Sequence, residues 1–152
     1  MKTLSTLAFG LLFSTGAFAA ENPLVGTWNL EGVYRDVNGA REPSAAYGAK
    51  PEGSIIFTSE GRLMIIVTST RTAETAGDMA KTFLAFTGPY RVIGPGKMVY
   101  QLDATVNGSP KGVDRERLVD LKGDSLALTV LPGNKLPDGT VAHTIQAWTR
   151  GK

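Results

Sequence analysis

Past Glu21 the hydrophobic residues of this chain fall in short runs and not at helical spacing. Runs rich in Val, Ile, Leu, Thr and Tyr recur between clusters of Gly, Pro, Asn and Asp, which is how strands separated by turns read. Eight runs stand out, at 26–35, 54–58, 62–68, 88–93, 97–105, 116–121, 125–131 and 140–150. Met98, Tyr100 and Leu102 alternate with Val99, Gln101 and Asp103, as a half-buried strand requires. Leu126, Leu128 and Val130 alternate with Ala127, Thr129 and Leu131; both sets are rather apolar, so the outer face of that strand is expected to be covered as well.

The connections carry turn chemistry: Ser59-Glu60-Gly61, Gly94-Pro95-Gly96, Lys122-Gly123-Asp124, and a longer stretch at 132–139. Such short loops make neighbouring strands antiparallel. One segment departs from the pattern: Glu74, Ala76, Met79, Ala80, Phe83 and Leu84 place apolar side chains near i, i+3 and i+4, which predicts a single amphipathic helix over 72–85. That helix either closes over one end as a lid or packs against the outside. The stretch 36–53, with Pro43, Gly48, Pro51 and Gly53, reads as a long loop.

Eight sequential antiparallel strands allow a sandwich or a closed barrel. Closure removes the exposed edges that invite aggregation, and eight strands enclose room for side chains or one small ligand. The expected fold is therefore all-β, an eight-stranded antiparallel up-and-down barrel with one short helix.

The first residues have a different character. Lys2 is followed by an apolar run from Leu4 to Phe18, ending in the small-x-small pattern Ala17-Phe18-Ala19. The run is shorter than the roughly 20 residues of a membrane-spanning helix. It reads as a secretory signal peptide, residues 1–19, cleaved after Ala19. The mature domain is then 20–152, periplasmic or secreted, with no stable membrane anchor.

Composition narrows the function. The 152 residues hold 16 Lys plus Arg against 14 Asp plus Glu, and removal of Lys2 takes away half of that small excess. No run of basic residues forms a nucleic-acid footprint, so no nucleic-acid partner is expected. With no Cys there is no disulfide, no thiolate metal site, no Cys nucleophile and no lipid-modified N-terminal Cys. One His and scattered carboxylates, without a calcium loop, give no metal motif, and no cofactor is implied. No nucleophile elbow is present, and Gly94-Pro95-Gly96 lacks the following helix of a phosphate loop.

Gly26-Thr27-Trp28 at the start of the first strand and Trp148-Thr149-Arg150 at the end of the last resemble the lipocalin arrangement. The resemblance implies that Trp28 plugs the barrel floor and that Arg150 packs across its ring. The ordered motifs Leu24-Val25-Gly26-Thr27-Trp28, Tyr47-Gly48-Ala49-Lys50-Pro51-Glu52-Gly53, Phe57-Thr58-Ser59-Glu60-Gly61, Phe86-Thr87-Gly88-Pro89-Tyr90 and Gly123-Asp124-Ser125-Leu126-Ala127-Leu128 are similar to the bacterial lipocalin-like domain family. They cover nearly the whole mature chain. The family has no common reaction, and many members carry a His where this chain has Tyr100.

If Trp28 points inward, strict alternation also places Leu30, Gly32 and Tyr34 inside, with Thr27, Asn29, Glu31 and Val33 outside. Tyr90 with Val92, and Met98 with Tyr100 and Leu102, should face inward too. The candidate ligand-binding residues are Trp28, Tyr34, Tyr90, Met98, Tyr100, Arg117 and Trp148; the same aromatics would equally fill a dry core. Arg117 shares parity with Arg115, Val119 and Leu121. It either points in, where it suits a ligand carboxylate, or belongs to a solvated strand start. His143, the single imidazole, has Asp103, Asp114, Glu116 and Asp120 as conceivable partners, tied to it by no spacing.

The reading that follows is an exported barrel that binds a small apolar or amphipathic molecule. The alternative is a small-barrel isomerase, cyclase or hydrolase using Tyr100, His143 or an acid as proton carrier. A third is a scaffold or inhibitor acting through the loop 36–53.

Overall fold

The computed structural model describes residues 22–70 and 83–152, so the expected signal peptide and positions 72–82 of the expected helix lie outside the described residues. Eleven strands form one antiparallel sheet: β1 (Gly26–Val37), β2 (Ala40–Pro43), β3 (Glu52–Phe57), β4 (Arg62–Thr68), β5 (Phe83–Gly94), β6 (Lys97–Tyr100), β7 (Ala104–Thr105), β8 (Arg115–Lys122), β9 (Ser125–Val130), β10 (Asn134–Lys135) and β11 (Val141–Arg150). Eight of them run β1-β3-β4-β5-β6-β8-β9-β11, and β11 pairs back onto β1 from Trp28↔Arg150 to Val37↔Ala142. The barrel is closed, so its eight wall strands have neighbours on both sides. β2 and β10 extend two hairpins at one end, and β7 continues the line of β6 along β5.

The two ends differ because their connections differ. At one end the turns at 58–61, 95–96 and 123–124 are tight; at the other, 44–51, 69–82, 106–114 and 131–140 join the strands. The first end is the floor and the second the mouth.

Three expectations are corrected. Phe83 to Ala85, assigned to the end of the helix, are the first residues of β5 and pair with β4 through Thr68↔Phe83 and Ile66↔Ala85. Pairing across the barrel wall overrides a helical period that only six side chains support. The stretch 36–53 is not wholly loop: β1 continues to Val37 and turns at Asn38 (φ 53°) and Gly39 (φ 84°) into β2. Asn-Gly with both residues at positive φ is the two-residue turn whose twist matches a hairpin. The expected strand 97–105 is interrupted between Tyr100 and Ala104. There it faces Pro89, which has no N–H for the ladder, while Gln101 N–H still bonds Pro89 O (3.1 Å) and Asp103 N–H bonds Thr87 O (3.0 Å).

The core lies inside the barrel and is densest toward the floor. Trp28, Trp148, Phe57, Ile55, Leu63, Ile65, Met98, Leu126 and Leu128 are essentially inaccessible. These side chains recur at every second position, and their mates Ile56, Met64 and Ile66 emerge outside, as a one-sided wall dictates.

One irregularity in β1 reverses part of the expected inside and outside. Leu30 pairs with Trp148 but Gly32 pairs with Ala147, so Glu31 is an extra residue in a β-bulge. Beyond it parity shifts by one. Val33, expected outside, is 1% exposed inside the barrel, opposite the buried Gln146. Tyr34, expected inside, stands on the outer wall opposite Ile145, its ring lying over Gly32 and under the Arg41 guanidinium (5.2 Å). Gly32 makes room for it: a Cβ there would come within 2.8 Å of the Tyr34 hydroxyl.

Candidate functional site

The floor is built first. Trp28 is fully buried and donates from Nε1 to Leu24 O (2.9 Å). The Arg150 guanidinium sits 4.1 Å from the centre of its ring. Arg150 also donates to Val25 O (3.1 Å) and Pro23 O (2.9 Å), and pairs with Asp124 (3.2 Å). One side chain thus ties the segment entering the barrel to the strand that closes it. Tyr90 belongs to this lower half. It packs edge-on against Phe57 (5.0 Å), accepts from Asn22 Nδ2 (2.9 Å) and donates to Thr58 O (3.3 Å); burial pushes its phenol pKa up.

Above the packed floor the barrel is hollow. A chamber of about 240 Å³ is bounded by Tyr47, Leu84, Phe86, Arg115, Arg117, Gln146 and neighbouring side chains. Beneath it, around Ile55, Leu63, Ile65, Met98 and Leu128, only about 10 Å³ is left. The barrel is therefore filled around these side chains and open above them.

Each wall of the chamber follows from its strand. β5 contributes Leu84 and Phe86, β6 Tyr100, β8 Arg115 and Arg117, and β11 Thr144 and Gln146, all at positions of inward parity. The Phe86 and Tyr100 rings stack at 5.3 Å, 3° from parallel. Tyr47 comes from the loop after β2, pinned to the end of β4 where its carbonyl accepts from Thr70 N–H (3.2 Å) and Ser69 Oγ (3.0 Å).

Arg117 is the centre of this wall. It donates from Nη2 to the Tyr100 hydroxyl (2.5 Å) and from Nη1 to the Glu116 carbonyl (2.9 Å), with its guanidinium 5.0 Å from the centre of the Tyr100 ring. Burial lowers its pKa, opposed by Tyr100. Burial likewise raises the phenol pKa values of Tyr100 and Tyr47, opposed by the nearby Arg117. Arg115, one turn of the pleat higher, donates to Pro110 O (3.1 Å), while its buried Nε has no hydrogen-bond partner among the described residues. Gln146 is 5% exposed and its side chain makes no hydrogen bond among the described residues.

The acidic residues stand elsewhere. Asp103 pairs with Arg62 (2.5 Å), Asp114 with Arg91 (3.2 Å), Glu116 with Lys97 (2.6 Å) and Asp120 with Lys122 (2.9 Å), all at exposed positions. His143 faces outward against Gly133, with Nδ1 3.4 Å from Val130 O. None of these carboxylates meets the imidazole in an ion pair. Among the described residues no cluster of three His, Asp or Glu could hold a metal ion.

Of the residues singled out from sequence, the chamber brings together Tyr100 and Arg117, with Met98 at its base. Trp28, Tyr90 and Trp148 fill the lower half, and Tyr34 is outside. Arg117 is not a solvated strand start. Tyr47, Phe86 and Gln146 are among the chamber residues not singled out as site residues. Phe86 shares parity with Tyr90, a signal hidden by the helix assigned just before it. For Tyr47, delivered by a loop, no periodicity exists to read.

A second hollow of about 510 Å³ lies by the floor, between Asn22–Leu24 and the Gly94–Gly96 turn. Its one charged residue, Lys97, is paired with Glu116. It is larger and mostly apolar; the chamber, by contrast, gathers convergent polar groups on an apolar wall, which is how ligand sites are composed. No family model and no curated protein matches the sequence.

Proposed function

We propose that this chain is an exported binding protein whose barrel takes up a small apolar or amphipathic molecule at the mouth end. The observation that carries the reading is the partly filled barrel: a floor built on Trp28 and Arg150, and above the packed core a chamber in which stacked aromatics and the Arg117 guanidinium share one wall. The apolar part of a ligand would lie against Leu84, Phe86 and Leu102, and its polar end would be oriented by Arg117 or a tyrosine hydroxyl. Among the described residues the chamber wall holds no carboxylate and no imidazole, and burial pushes the pKa of its Tyr100 and Tyr47 phenols up, away from neutral proton transfer, which favours retention of a ligand over acid–base turnover.

Native mass spectrometry of protein purified from its own source tests this. The expected result is a small molecule retained in stoichiometric amount and lost on unfolding. A chain that carries nothing and shows no saturable uptake of an environment-sensitive apolar dye would overturn it.

A further inference from the structure

We infer that the chamber selects a compact monocarboxylate: one planar acid group gripped by Arg117 and Arg115, on a short, preferably aromatic, body. This rests on the chamber being a binding site and goes further by stating the charge and size of what it accepts.

The charge follows from the wall. Two guanidinium groups line a space of about 240 Å³, and no lining side chain is acidic. Neither arginine has a carboxylate partner among the described residues; their neighbours are a phenol and two backbone carbonyls. A buried cation without a counter-charge is costly. An arginine has five N–H donors, of which Arg117 uses two in hydrogen bonds to Tyr100 and Glu116. The Arg115 Nε is buried with no hydrogen-bond partner among the described residues. An anion in the chamber would supply both the missing charge and the missing acceptors, and the planar fork of a guanidinium matches a carboxylate in bidentate fashion. Gln146, two strands away on β11, and the Tyr47 hydroxyl offer further donors.

The size follows from the packing below. A long alkyl chain needs depth, and below the chamber Leu63, Met98 and Leu128 leave about 10 Å³. The chamber lies under the range of roughly 300–1,000 Å³ typical of pockets for drug-sized ligands. The stacked Phe86 and Tyr100 rings favour a flat body over a flexible one.

The test is calorimetric titration of the full chain with three probes: phenylacetate, its neutral isostere phenylacetamide, and hexadecanoate. Phenylacetate should bind one to one, the amide at least about tenfold more weakly, as the loss of charge-assisted hydrogen bonds requires, and hexadecanoate no better than phenylacetate. In Arg117→Met and Arg115→Met the preference for acid over amide should collapse toward unity. If Arg117→Met does not fold, Arg115→Met and the acid-to-amide ratio of the unaltered chain decide the matter. Equal affinity for acid and amide, or tighter binding of hexadecanoate, overturns the inference and leaves the binding reading standing. Absence of binding by acid and amide alike at millimolar concentration also overturns the inference, and the binding reading is then decided by its own mass-spectrometric and dye tests.

Discussion

The guanidinium of Arg150, on the last strand, lies 4.1 Å from the ring centre of Trp28, on the first. The two are also directly paired across the seam where the barrel closes. Closure and floor are thus one interaction, reinforced by the bonds from Arg150 to Val25 O and Pro23 O. Arg150→Ala should cost about 1–3 kcal/mol, combining a cation–π contact with charged hydrogen bonds. Arg150→Lys should recover less than half of that, because an ammonium cannot cover the ring and reach both carbonyls. Urea denaturation with an unchanged m-value is the readout.

The bulge at Glu31 predicts a ranking. Val33→Thr places a hydroxyl inside the barrel and should cost about 1–3 kcal/mol. Tyr34→Thr, on the outer wall, should cost less than about 1 kcal/mol, as surface changes generally do. Strict alternation along β1 would reverse the order, so the two midpoints measured side by side decide it.

Tyr100→Phe removes the acceptor of the Arg117 Nη2 hydrogen while keeping the ring that stacks on Phe86. A buried donor is left without a partner, at a cost of about 1–3 kcal/mol. A thermal melt of this variant unchanged from the parent would show that the guanidinium finds another acceptor.

Gly88 allows β5 to pass close to the chain beyond β6. A Cβ there would lie 1.8 Å from Gln101 O, a backbone atom that cannot yield alone. Gly88→Ala should cost more than about 3 kcal/mol or abolish folding, in the class of severe backbone effects. Soluble expression and circular dichroism suffice to check it.

Alkaline pH should loosen the fold. Burial raises the phenol pKa of Tyr47, Tyr90 and Tyr100 above 10.0, the value of the free side chain. Above that pH the native state retains protons that the unfolded chain has released, so stability falls as pH rises. Below it the three contributions are fully present. Absorbance at the tyrosinate band and a melting series across the alkaline range should show ionisation and loss of structure together.

Much of the fold was legible because it follows from local chemistry. The period-two runs, the Gly-containing turns and the need to satisfy sheet edges pointed to a closed eight-stranded barrel, while the floor at Trp28 and Arg150 was implied by a resemblance and not by local chemistry. Arg117 could be assigned a parity but not an environment: whether an arginine on an inward position meets a core, a rim or a chamber depends on what seven other strands place opposite it. The Asn38-Gly39 turn was present in the sequence as a hairpin signal, yet the prolines and glycines around it made the stretch read as loop.

What the residues alone determined is therefore the architecture, since alternation and turn chemistry act over a few positions. What only the tertiary structure decided is which side of the wall each group occupies past Glu31, and that the barrel is packed below and hollow above. A single bulge shifts every following side chain to the other face, and the height at which large residues stop is set by packing between strands distant in sequence. That is why Tyr34 lies outside, and why Arg117 and Arg115, with no acid facing them among the described residues, line the chamber.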